Sequence, residues 1–140
     1  MVSRSVAFCY HISTNEKGGS RIIGLIETDR GKVGIMERRD EVFRSSQDVL
    51  DAIADLCYEG CERFIFYKEN FPESFYDLRT GLAGDILQKM STYYIKLAIV
   101  GDFSGYTSKS LKAFIYESNR GKQTFFVASE EEAMKALGLS

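Results

Sequence analysis

Proline occurs once in 140 residues, and no low-complexity tract or internal repeat breaks the chain, which excludes a disordered or collagen-like protein. Long apolar runs are missing too. The stretch over residues 97–100 is typical, far below the roughly 20 residues that a bilayer span requires, so no membrane association is expected. One cation, Arg4, precedes the apolar segment starting at Val6, and Tyr10 and His11 interrupt that segment with no small-residue cleavage site behind it, so no signal peptide is read. Neither sign of charge dominates: 18 Lys and Arg face 20 Asp and Glu, for a net charge of -2. That balance supplies no field to hold a polyanion, and nucleic acid is not expected as a partner.

Cysteine is scarce, and three is an odd number, which fits a reducing, cytoplasmic setting better than a disulfide framework. Cys57 and Cys61 stand four apart, while Cys9 and His11 lie far away, so a zinc site would lack a local set of four ligands. The thiols read as small buried hydrophobes, and no metal or cofactor is expected. His11 is the sole histidine. It alternates out of phase with Val6, Phe8, Tyr10 and Ile12, on the opposite strand face, with no neighbour that would make it a general base.

What is present is an ordinary globular composition, 44% hydrophobic and 27% charged. Folding at this length removes roughly two-thirds of the unfolded surface from water, enough for a core without staples. Residues 5–12 alternate as a strand and run into a polar, glycine-bearing stretch, giving an N-terminal extension over residues 1–20. The main domain then covers residues 21–140. Ile22, Ile23, Leu25 and Ile26, the turn Asp29-Arg30-Gly31 and Val33 to 36 predict a hairpin. Ser45 and Asp48 have capping-box spacing ahead of Val49, Leu50, Ile53, Ala54 and Cys57, a helix stopped by Gly60. Residues 63–67 read as a buried strand. Pro72 opens a helix predicted over 73–92, with Phe75, Leu78, Leu82, Ile86 and Met90 on one stripe. A strand over 94–100, a helix capped by Thr107 or Ser108 and stopped by Gly121, a strand over 124–128 and a helix capped by Ser129 complete the chain. The fold class is therefore α/β: one domain, a mixed β-sheet with an N-terminal hairpin followed by alternating helices and strands, with about four helices. Tyr58, Phe66, Phe75, Tyr93, Phe114 and Phe126 fall at core-like positions.

The words Glu69-Asn70-Phe71, the run from Phe75 through Lys89, Lys96-Leu97-Ala98-Ile99-Val100-Gly101-Asp102-Phe103-Ser104, Ser108-Lys109-Ser110-Leu111 and Phe114-Ile115-Tyr116-Glu117-Ser118-Asn119 resemble the bacterial domain-of-unknown-function family 4180. The likeness spans residues 21–138 and implies no activity. The element order is also similar to the STAS architecture of anti-sigma-factor antagonists and sulfate-transporter tails. In the antagonists an Asp-Ser-Ser-Gly word before the second helix carries the phosphorylated serine. Thr80-Gly81 falls at the comparable place, but Leu78 stands where the aspartate would, and Asp77 is one step too far.

Three readings follow. In the first, the chain is a STAS-like binding or regulatory module working through residues 69–84 and 101–109. Thr80 is its phosphorylation switch, Asn70, Asp77 and Arg79 are polar neighbours, Phe71 and Tyr76 are apolar contacts, and Gly81 and Gly84 allow close approach. Phe103 and Tyr106 would join Phe71 and Tyr76 in an exposed apolar rim or, equally, in a lid packed on the core. The opposing view of Thr80 places it inside the helix over 73–92, its hydroxyl bonded back to the preceding turn. Asp102, Phe103 and Ser104, between Gly101 and Gly105, lie where open α/β sheets bind ligands, and a small anion is one candidate there. In the second reading Glu69, Asp77, Asp85 and Asp102 supply an acid and base pair for a small hydrolase or transferase, or line a small-molecule site. The third has the N-terminal strand pair with another subunit in a homodimer. The expected partner is accordingly an unidentified protein or small ligand.

Overall fold

The computed structural model describes residues 22–139 and, before them, three two-residue strands: β1 (Tyr10–His11), β2 (Thr14–Asn15) and β3 (Gly19–Ser20). The remainder of the N-terminal extension, Cys9 and the side chain of His11 lie outside the described residues. β2 and β3 pair with each other, and β1 lies antiparallel on β4 (Ile23–Thr28) of its own chain, Tyr10 opposite Ile26.

β4 and β5 (Gly31–Met36) form the expected hairpin around Asp29 and Arg30. Thr28 closes the turn, its hydroxyl donating to the Gly31 carbonyl at 2.8 Å and accepting from the Arg30 amide at 3.0 Å. From β5 onward every pairing is parallel: β6 (Arg63–Tyr67), β7 (Lys96–Val100) and β8 (Thr124–Val127) follow in order, giving the sheet β1-β4-β5-β6-β7-β8. The crossovers carry α1 (Ser46–Tyr58), then α2 (Glu73–Tyr76) and α3 (Leu82–Thr92), then α4 (Lys109–Arg120), and α5 (Glu130–Ala136) closes the domain. This is the anticipated α/β mixed sheet, with four helices of seven residues or more among the described residues.

The predicted caps are in place. Ser45, Ser108 and Ser129 each accept the amide three residues on, from Asp48, Leu111 and Glu132, at 3.1 to 3.2 Å, which satisfies one orphan donor per helix. Consecutive residues of the central strands, Phe64, Ile65 and Phe66 and again Leu97, Ala98 and Ile99, are all fully buried, so both faces of the sheet are covered, as parallel strands require.

Three helices end in the same hydrogen-bond pattern. After α1 the amides of Gly60 and Cys61 reach Cys57 and Leu56, after α5 those of Gly138 and Leu139 reach Lys135 and Met134, and after α3 those of Tyr94 and Ile95 reach Ser91 and Met90. Each is a Schellman turn, whose first residue beyond the cap takes a left-handed conformation that glycine adopts without a Cβ clash. Gly60 and Gly138 do so at φ 93° and 79°, whereas Tyr94 does so at φ 59°, the one non-glycine residue with positive φ among the described residues. That turn delays β7 to Lys96, two residues later than predicted. It also leaves Tyr94 and Tyr93 at 79% and 57% exposure, and Tyr58 at the end of α1 stands 94% exposed. The core positions expected for Tyr58 and Tyr93 are therefore corrected: both lie at helix ends, where the periodic stripe has run out beyond Leu56 and Met90.

Candidate functional site

β6, β7 and β8 end together at Tyr67, Val100 and Val127, and the segments after them form the face where open α/β sheets hold ligands. The first segment, residues 68–81, contains most of the residues picked out in the sequence. Its anchor is Asn70, fully buried. The Asn70 Oδ1 accepts the Tyr67 amide at 2.8 Å, and its Nδ2 donates to the Arg38 and Glu41 carbonyls at 3.0 and 2.8 Å. The Phe43 amide donates to the Asn70 carbonyl at 2.7 Å. Asn70 is thus a strut joining residues 38–43 to the end of β6, not a polar neighbour of Thr80, because its side-chain amide is spent on the Tyr67, Arg38 and Glu41 backbone groups.

Phe71 and Tyr76 are likewise corrected as exposed contacts: they are 4% and 6% exposed. Ring centroids step from Phe66 to Phe71 at 6.0 Å, to Phe75 at 4.4 Å, to Tyr76 at 4.8 Å and to Tyr106 at 5.4 Å, separations at which aromatic pairs attract beyond their area. Phe103 joins through Tyr76 at 6.2 Å and Phe126 at 5.3 Å. The rim is the packed lid. The Tyr76 hydroxyl donates to the Lys68 carbonyl at 2.9 Å, and burial pushes its ionisation far up.

The helix expected over 73–92 is broken. α2 makes one turn behind Pro72, residues 78–80 form a 3-10 turn, and Gly81, at φ 81°, starts α3. Asp77 causes the break: its carboxylate accepts the Arg79 amide at 3.2 Å and pairs with the Arg79 guanidinium at 3.0 Å, a local alternative to the helical ladder. The break frees Thr80, which is exposed. Its hydroxyl lies 2.6 Å from the Ser74 carbonyl and 2.9 Å from that of Asp77, positioned to donate, and accepts the Leu82 amide at 3.3 Å. Bonding back to the preceding turn occurs as foreseen, but at the threshold of α3 and not within it. A Cβ added at Gly81 or Gly84 would meet nothing within 4 Å, so this surface is open.

Two depressions lie on the face. One, of about 840 Å³, brings Asp102, Phe103 and Ser104 together with Tyr67, Glu69 and Glu130. The other, of about 750 Å³, is bounded by Tyr76, Asp77 and Arg79 on one side and Tyr106 and Ser108 on the other. Gly101 lets the layers meet, since a Cβ there would stand 2.5 Å from Cβ of Lys68. The Lys68 ammonium donates to the Asp102 carbonyl at 2.9 Å and sits 4.8 Å from the Tyr106 ring centre. Of the candidate carboxylates, Glu69 and Asp102 share the first depression, Asp77 lines the second, and Asp85 is exposed on α3. Hydrogen bonds from Arg79 hold Asp77 below the usual carboxylate range, and those from the Ser104 hydroxyl and amide do the same for Asp102. That is the wrong direction for a general acid near neutral pH.

Sequence reasoning missed the centre of the first depression. The Tyr67 hydroxyl donates to the Glu130 carboxylate, and the Arg39 guanidinium lies 3.8 Å over the Tyr67 ring. Burial first, then Glu130, pushes the phenol up to about 12. The one signal available was Tyr67 as the last residue of an apolar strand. Among the described residues no three His, Cys, Asp or Glu side chains gather as a metal site, and no helix is long and apolar enough to cross a membrane. Cys61 is buried with its thiol donating to the Arg63 carbonyl at 3.3 Å, and burial pushes that thiol up to about 11.

Compared with known families, the chain matches DUF4180, a domain of unknown function, over residues 28–137. No curated protein and no solved structure matches it.

Proposed function

The chain belongs to the DUF4180 family, and from its geometry we propose that it is a STAS-like regulatory module that binds a partner protein on the face formed by residues 69–84 and 101–109, with Thr80 as the switch. The observation that carries this is the placement of the Thr80 hydroxyl: exposed, latched to the Ser74 and Asp77 carbonyls, and one residue before the Gly81 cap of α3. Once esterified, the Thr80 Oγ has no proton to give either carbonyl, and the phosphate is repelled by their oxygens. The first-turn amides of α3 and the Arg79 guanidinium are the attractive alternatives. Modification therefore releases the 74–80 turn and puts charge beside the open surface of Gly81 and Gly84. The succession of hairpin and alternating helices and strands supports the STAS-like reading at the level of fold, which by itself assigns no function.

The test is co-purification from the native cell of wild type, Thr80→Glu and Thr80→Val, with bound proteins and small molecules identified by mass spectrometry. A protein held by wild type and lost from Thr80→Glu supports the switch. Thr80→Val separates loss of the latch from gain of charge. Unchanged partners on a folded Thr80→Glu would sink the proposal. A second reading, a small-molecule-binding protein, draws on the 840 Å³ depression around Tyr67, Asp102 and Glu130. A small molecule retained by all three proteins would favour it.

A further inference from the structure

The opposite end of the domain carries a separate surface, independent of Thr80. α1 and α3 both finish there, and a groove of about 570 Å³ near their ends is lined by Asp51, Cys57, Tyr58, Glu62, Tyr93 and Ile95, among others. Of the large hydrophobic side chains that stand exposed among the described residues, three of four, Tyr58, Tyr93 and Tyr94, belong to this end, the fourth being Tyr116 on α4.

The lining of the groove carries charge of one sign. Asp51 and Glu62 line the groove and no cationic side chain does, and Asp55 is exposed in the last turn of α1. A helix C-terminus presents the negative end of its dipole; α1 has no basic residue in its last turn, and the Lys32 ammonium donates to the Glu59 carbonyl there at 2.7 Å, outside the groove's lining. Tyrosine ring faces add negative quadrupole potential. The backbone points the same way. Where α1 and α5 use Gly60 and Gly138 in the left-handed position, α3 uses Tyr94 and keeps its side chain in water.

We propose that this groove docks an arginine-bearing segment of a partner protein, guanidinium groups stacking on the exposed tyrosines and pairing with Asp51 and Glu62. The planar, weakly hydrated guanidinium suits this setting better than a lysine ammonium.

The test measures fluorescence polarisation of a short labelled peptide of alternating arginine and leucine against the full chain, beside the same peptide with glutamate for arginine. The arginine peptide alone binds, and added salt weakens it. Tyr58→Ser and Tyr93→Ser each weaken binding by roughly tenfold, whereas Thr80→Glu leaves it unchanged, which keeps this result separate from the switch. Tyr94→Gly supplies a signature that damage to the fold cannot imitate: binding falls while the melting temperature rises. Equal binding of the glutamate peptide, no binding of either, or indifference to the tyrosine substitutions overturns the proposal. So does sedimentation showing a dimer that Tyr58→Ser dissociates while the arginine peptide fails to compete, since the occupant is then a second copy of the chain.

Discussion

The two ends of the parallel strands treat their aromatic residues in opposite ways. At the C-terminal end Phe71, Phe75 and Tyr76 are drawn under loops whose buried polar group, Asn70, is fully satisfied. At the N-terminal end Tyr58, Tyr93 and Tyr94 stand in solvent around a groove with carboxylates and no cation. The sequence left the C-terminal aromatics equally as an exposed rim or a packed lid, placed the working surface there, and put Tyr58 and Tyr93 at core-like positions. Polar, glycine-bearing words thus mark where the chain must turn and be satisfied, which is not always where it meets another molecule. What remains exposed at the C-terminal end is narrower than the motif: of the binding residues picked out there, Arg79, Thr80, Gly81, Asp102 and Ser104, with Asp77 half-buried.

The comparison breaks most readily at Phe71. If its ring is lid and not binding contact, Phe71→Ala costs about 4 kcal/mol in unfolding free energy, the scale of a buried aromatic truncated to leave a cavity, read from urea denaturation. A change near zero would return Phe71 to the surface and the exposed rim to contention. The C-terminal end also carries an alkaline liability. The Tyr67 phenol is pushed from its ordinary 10 up to about 12 by burial and by Glu130, so above pH 10 the unfolded chain loses a proton that the folded one keeps. Stability contributed by the protonated phenol is full below pH 10 and is lost as pH rises through about 12. Tyr67→Phe should flatten that part of a stability-versus-pH profile, and an unaltered slope would detach Tyr67 from the effect.

Much of the fold was legible because it is written in local chemistry. The β6 limits follow from a four-residue apolar run behind Arg63, and the three serine caps from their spacing to a following amide. The helix over 73–92 misled because Phe75, Leu78, Leu82 and Ile86 keep helical phase across a break made by the Asp77 carboxylate and the left-handed Gly81. Those four still face inward, the outer two buried and Leu78 and Leu82 packed against the core, so periodicity reported the burial correctly and the backbone wrongly. Thr80 was legible as a candidate, its freedom was not. The Tyr67–Glu130 contact joins residues 63 apart, and only the folded sheet brings them together. Tyr94 left no trace either, since nothing in a tyrosine announces a glycine conformation.

Tyr94 also gives the smallest and most diagnostic effect. A residue with a Cβ held left-handed is strained by about 1 to 2 kcal/mol, and its 79% exposed side chain recovers little of that by burial. Glycine removes the strain but returns about 0.5 to 1 kcal/mol as greater freedom of the unfolded chain. The difference leaves Tyr94→Gly more stable by about 0.5 kcal/mol, a rise in the thermal midpoint that calorimetry can read. The sign matters more than the size. A gain means the wild-type chain forgoes stability that the matching turns at Gly60 and Gly138 retain, as expected where a side chain is kept for contact with another molecule. A loss means that Tyr94 contributes to the fold, and the contrast between the two ends weakens to a difference in exposure alone.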